Sequence, residues 1–114
     1  MVEALSIFGG YLFALMIGHA IADYAYQSQF MADGKNKWKP IPGHDWWIVL
    51  MNHSLIHAGA VWAITGMVWL AVAEFVLHFL IDTIKCAGWL DFREDQFLHF
   101  LCKALFAAIV LISI

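Results

Sequence analysis

Residues 46–89 read WWIVLMNHSLIHAGAVWAITGMVWLAVAEFVLHFLIDTIKCAGW. As one helix this stretch would be about 66 Å long, roughly twice the hydrocarbon thickness of a bilayer. It therefore has to turn, and Thr65-Gly66 is the break that the residues offer. The tryptophans agree with a turn there. Trp62 and Trp69 flank it, while Trp46, Trp47 and Trp89 stand at the opposite ends of the same two helices. Indole rings gather at the two membrane–water interfaces, and this spacing places them in both.

Two further apolar stretches lie outside the hairpin, one from about Val2 to Phe30 and one from near Asp95 to Ile114. The connection MADGKNKWKPIPGHD, residues 31–45, holds both prolines, three lysines and two glycines, and reads as a surface loop. A second connection, CAGWLDFRED, is short and charged. The expected fold is all-α: a polytopic membrane protein forming a four-transmembrane-helix up-down bundle. One domain spans 1–114, with helices at about 2–30, 46–64, 67–87 and 95–114.

Composition supports this class. Of 114 residues, 63% are hydrophobic and only 13% charged, with a mean hydropathy of +0.76. A soluble domain is nearer half apolar and a quarter charged. Low charge excludes a disordered chain, and a net charge of −3 argues against a nucleic-acid binder. Cys86 and Cys102 are too few for a disulfide scaffold and read as small apolar side chains. The first segment lacks a basic leader and a cleavage site, so it reads as a retained helix. Lys35, Lys37, Lys39, Lys85 and Arg93 all fall in or beside the two connections, which an up-down bundle puts on one side. The positive-inside rule makes that side cytoplasmic and sends both termini outward.

The decisive pattern is polar. His19 and Asp23, His53 and His57, His78 and Asp82, and Asp95 and His99 give each helix one pair at i, i+4. That spacing puts both side chains on one face, about 5–6 Å apart. About one such pair is expected by chance from 12 His and Asp, whereas five occur when Asp91–Asp95 is counted. At 1.5 Å per residue each pair lies roughly 5–17 Å from the loop end of its helix, so all four meet at a common depth. Imidazole and carboxylate are ligands of zinc, manganese and ferrous iron, and facing helices can supply several of them. Zinc is the expected metal, and eight candidate ligands exceed one tetrahedral shell, so two ions are expected. His44, in the loop, stands outside the set.

Neighbouring residues extend the faces. Gln27 continues that of His19–Asp23, Glu74 and Lys85 that of His78–Asp82, and Lys103 that of His99. Glu74 and Lys85 are the candidate catalytic groups, a general base and a cation for a substrate phosphate. Their plainer readings are a hydrogen-bonded acid and a snorkelling lysine or partner for Asp82. The plainer reading of the whole cluster is a polar network joining helices, but such contacts average well under 2 kcal/mol in membranes.

The segments HAIADYAYQ, MNHSLIHA, HFLIDTIK and DQFLHFL resemble those of a small bacterial and phage integral membrane family, domain of unknown function 3307. The order H-x3-D, H-x3-H, H-x3-D, D-x3-H carries the resemblance over nearly the whole chain. It implies a bacterial cytoplasmic membrane location. More remotely, the chain is similar to bacterial membrane-bound metal-dependent hydrolases, and through them to the zinc phospholipase C and P1 nuclease group. Those enzymes hold a zinc cluster with H-x3-D pairs and cleave phosphodiesters. The likeness carries over to His19, Asp23, His53, His57, His78 and Asp82. Asp95 and His99 match only the small family, and the tryptophan ligand of the soluble enzymes is missing, so metal count and substrate do not carry over.

These readings lead to a metal-dependent hydrolase acting on a phospholipid or another membrane-linked phosphoester at the cytoplasmic side. A transport protein handling protons or metal is the first alternative, although the outer half is apolar apart from Glu74. A redox or haem bundle fits the carboxylates poorly. A metal-stabilised phage or bacterial interaction protein, contacting its partner through the 31–45 loop, is the third. The expected partners are the bilayer and a lipid or phosphoester substrate, with no nucleic acid. A homo-oligomer is compatible with so small a bundle.

Overall fold

A computed structural model describes all of residues 1–114. The chain is helical almost throughout: α1 (Val2–Ala20), a π-helical turn (Ile21–Ala25), α2 (Gln29–Gly34), α3 (Trp46–Thr65), α4 (Val68–Cys86) and α5 (Phe92–Ser113). The four long helices form a closed ring in chain order, with α1 against α3, α3 against α4, α4 against α5, and α5 back against α1. Consecutive long helices run antiparallel. His53 faces His78 across α3–α4, and the later His57 approaches the earlier Glu74.

Local chemistry sets the ends. Gly66 closes α3 at φ 70°, and its N–H donates to Trp62 O at 2.8 Å. The Thr65 hydroxyl donates back to Val61 O at 2.8 Å and accepts from Met67 N at 3.1 Å, so it joins the helix end to the next helix start. The glycine follows from the positive φ, which Cβ-bearing residues resist. Asp91 and Glu94 form a reciprocal capping box at the start of α5, with bonds of 2.8 and 3.1 Å. That box begins α5 at Phe92, three residues ahead of the expected start at Asp95, because the charged residues that suggested a loop are the cap.

The first apolar stretch departs further from expectation. It does not run to Phe30 as one helix. The backbone widens at Ile21–Ala25, where Tyr26 N reaches Ile21 O at 2.9 Å, and the helix stops. Ser28 then caps a separate short helix, α2, by accepting from Met31 N at 3.1 Å. Part of the 31–45 connection is thus helical, and α2 packs on α3.

Three helices are long and apolar enough to cross a membrane: Val2–Ala25, Trp46–Thr65 and Phe92–Ser113. The fourth, α4, has similar length but carries Glu74, Asp82 and Lys85. The bundle is apolar outside and polar within. Phe13, Leu55, Trp62, Val72, Val76, Leu80, Phe97, Leu101 and Leu105 are exposed, whereas 11 of the 25 buried residues are polar or charged. The apolar core is confined to one end, where Leu15, Val61, Leu70, Phe106, Ala107 and Val110 pack together. Gly18 lets α1 lie close on α3 beside this core, since a Cβ there would stand 3.0 Å from Ile64 Cδ1.

Candidate metal centre

All eight side chains expected to ligate metal converge between the core and the loop side. The ring geometry explains it. Residues late in α1 and α4 and early in α3 and α5 share one level, and the i, i+4 spacing turns each pair inward. His53, His57, His78, Asp82, Asp95 and His99 are buried to within 2% of full occlusion, and His19 to 5%.

Asp23 sits among three imidazoles. Its Oδ1 is 3.0 Å from His57 Nε2 and 3.4 Å from His53 Nε2, and its Oδ2 is 3.4 Å from His19 Nε2. The Nε2 atoms of His53 and His78 are 3.1 Å apart. Asp82 lies on the other flank. Its Oδ2 stands 3.4 Å from His53 Nε2 and 3.5 Å from His78 Nε2, while Oδ1 is 3.4 Å from His99 Nε2. Asp95 Oδ1 completes that corner at 3.3 Å from the same nitrogen.

These spacings suit a metal ion. Ligands about 2.0–2.1 Å from a tetrahedral ion stand about 3.3–3.4 Å from one another. Asp23, His53, His57 and His78 form one group of ligand atoms lying within 4.8 Å of each other, and Asp82, Asp95 and His99 form another. Asp82 turns Oδ2 toward His53 and His78 of the first group and Oδ1 toward His99 of the second. Asp95 Oδ1 is buried with no hydrogen-bond partner, an acceptor that a cation would satisfy. The donor set therefore fits a divalent metal.

The supporting polar groups are layered. On the core side, Lys103 Nζ donates to Glu74 Oε1 at 2.7 Å, and His78 Nδ1 donates to the same oxygen at 3.2 Å. With its proton on Nδ1, His78 presents the Nε2 lone pair to the centre. On the loop side, Gln96 Nε2 donates to Asp23 Oδ2 and to Asp95 Oδ2, each at 3.1 Å, and its Oε1 lies 3.1 Å from His19 Nε2. Lys35, from the C-terminal end of α2, buries its ammonium 2.8 Å from Asp82 Oδ2 and 2.7 Å from Gln27 Oε1.

The two residues expected to be catalytic fall on opposite sides. Glu74 lies on the core side, engaged by Lys103 and His78. Lys85 lies at the loop-side rim with its side chain 33% exposed, 3.4 Å from Asp95 Oδ2. The lysine paired with Asp82 is Lys35, not Lys85. His44 stays outside the cluster, packed on Phe30 with ring centroids 4.9 Å apart. Gln96 and Lys35 were not among the expected site residues. Gln96 carried a signal, since it precedes His99 by three residues on the same helical face. Lys35 carried none, because the loop around it has no helical period to read.

Fold and site together define a helical bundle, apolar outside, built around a buried histidine–carboxylate centre. The chain belongs to the family described as protein of unknown function DUF3307, whose model matches residues 11–114. No curated protein and no solved structure matches it.

Proposed function

We propose that this chain is a membrane-embedded, metal-dependent hydrolase acting on a phospholipid or another membrane-linked phosphoester, reached from the loop side. In this reading all four long helices cross the bilayer. The charges of α4 are no obstacle, since Glu74 and Asp82 point into the bundle and Lys85 lies near the helix end, where a lysine snorkels to the interface. The lysine-rich connections then face the cytoplasm and both termini face outward.

The observation that carries the reading is the convergence of imidazole and carboxylate ligands at metal-like spacing on four different helices. Zinc is the expected ion, with manganese or iron as substitutes. A divalent metal held there would supply an acidified water and a polarised phosphoryl oxygen. Hydrolysis adds water across the P–O ester bond, with oxygen going to phosphorus and the proton to the departing alcohol. Among the chain's own groups, Lys85 is at the rim to bind a substrate phosphate. Glu74, 3.2 Å from His78 Nδ1, orients that imidazole from the core side. Conduction is disfavoured by the apolar layer of Leu15, Val61, Leu70 and Phe106, which closes the bundle beyond Glu74 and Lys103.

The test is elemental analysis of detergent-purified protein, followed by hydrolysis assays on a panel of phospholipids. Bound divalent metal, turnover of a lipid phosphoester, and loss of both in His53→Ala and Asp23→Ala are expected. Metal-free protein, or full turnover in those variants, would overturn the proposal. Ion flux through protein-loaded liposomes would instead favour transport.

A further inference from the structure

Gln96, in the first turns of α5, meets side chains from the far end of α1 and from its own helix. Its Nε2 is 3.1 Å from Asp23 Oδ2 and 3.1 Å from Asp95 Oδ2, and its Oε1 is 3.1 Å from His19 Nε2. Ionised carboxylates only accept hydrogen bonds, so the amide nitrogen is the atom that faces them. The amide oxygen is then turned to His19, and it too can only accept. His19 Nε2 therefore carries a proton and has no lone pair to give a metal. Asp23 Oδ2 lies 3.4 Å from the same nitrogen. The other ring nitrogen, Nδ1, is buried without a hydrogen-bond partner. His19 belongs to none of the groups whose ligand atoms all lie within 4.8 Å of one another, although its ring centroid is only 5.1 Å from that of His57.

We infer that His19 is a hydrogen-bond donor beside the metal rather than a ligand, and that His19 and Gln96 together are positioning residues for Asp23. They hold its Oδ2, so that Oδ1 alone completes a tetrahedral site with Nε2 of His53, His57 and His78. The assignment rests on the metal reading proposed above.

The two oxygens of Asp23 have different surroundings. Oδ2 is met by the Gln96 amide and the His19 N–H. Oδ1 is met by His57 Nε2 at 3.0 Å and His53 Nε2 at 3.4 Å, and the Nε2 atoms of His53 and His78 are 3.1 Å apart. These spacings are near the roughly 3.3–3.4 Å expected between ligands of a tetrahedral ion. A carboxylate with one oxygen taken up by two donors offers the other singly, which keeps the site at four ligands. The donors suit the interior as well. An amide gives one N–H to each of two carboxylates without adding a charge to be desolvated.

The test uses the full chain in detergent micelles, stripped by chelator and loaded with one equivalent of cobalt(II). Affinity and the visible ligand-field spectrum are read for each variant. His19→Gln keeps an N–H donor near the place of Nε2 and should match wild type in both. His57→Gln removes a proposed ligand and should lose the spectrum. His19→Leu and Gln96→Leu remove donors to Asp23 and should each bind cobalt about 10–100-fold more weakly. Loss of the spectrum in His19→Gln, its survival in His57→Gln, or wild-type affinity in either leucine variant overturns the inference and leaves the metal reading standing. Failure of wild type to bind cobalt overturns both. Proton resonance of cobalt-loaded wild type gives a check that needs no variant. Each imidazole bound to cobalt shows a strongly shifted N–H signal from its other nitrogen. One such signal is expected from each of His53, His57 and His78, and any further one overturns the inference.

Discussion

Glu74 and Lys103 are each 1% exposed and meet at 2.7 Å in the interior of the bundle. Taking two charges out of water is expensive, and their mutual attraction offsets that cost only while both are present. Removing one partner leaves the other charged and unpaired, so Glu74→Met and Lys103→Met should each destabilise the protein by about 3–5 kcal/mol. The double variant should recover most of that loss, as measured by thermal unfolding in detergent. Stability is one readout and ligand orientation the other. Because Glu74 fixes the Nδ1 proton of His78, the double variant should still bind cobalt about 10–100-fold more weakly than wild type. Recovered stability with unchanged metal affinity would show that the pair only fills space. The convergence of the eight candidate side chains was legible in the sequence, because an i, i+4 pair on a helix must share a face. Their supports were less so. Glu74 and Lys103 extend the same faces, but which charge pairs with which depends on how far α4 slides along α5, and periodicity is silent on that.

At the scale of elements, the α3–α4 hairpin was readable because a bilayer limits helix length and glycine is rare in a helix interior. Gly66 at φ 70° bears this out. Substituting Ala forces a Cβ into the left-handed region, so Gly66→Ala should cost about 1–2 kcal/mol. Its position beyond the apolar core predicts little change in cobalt affinity, and a large loss of metal binding would mean that the hairpin sets the ligand level. The end of the first helix was not readable. Nothing in IADYAYQSQF breaks the apolar pattern as Pro or Gly would, and the π-helical turn at Ile21–Ala25 has no sequence signature of its own. Its effect is to insert an extra residue into the turn that carries Asp23, one flank of the four-residue candidate ligand group. Lys35 was hidden for a related reason. Its approach to Asp82 follows from where α2 folds back after that turn.

For the whole molecule, the site divides the bundle into a sealed half and a half that ends in loops. The sealed half contains the apolar core and the Gly66 turn, and neither the turn nor the chain termini carry Lys or Arg. The other half ends in the connections with Lys35, Lys37, Lys39, Lys85 and Arg93. The proposed orientation rests on this asymmetry. Cytoplasmic loops retain positive charge because moving it across the membrane is unfavourable. Accessibility of single cysteines in intact cells tests this directly, once Cys86 and Cys102 are replaced by alanine. Pro42 and Val68 are both exposed and lie at opposite ends of the bundle. A membrane-impermeant maleimide added outside should label Val68→Cys and spare Pro42→Cys until the cells are lysed. The reverse pattern would place the loop-side rim, with Lys85 and the route to the ligands, outside the cytoplasm. The substrate would then have to be drawn from the opposite leaflet. Labelling of both positions in intact cells would mean that the chain does not cross the membrane at α3, and the polar interior would need another explanation.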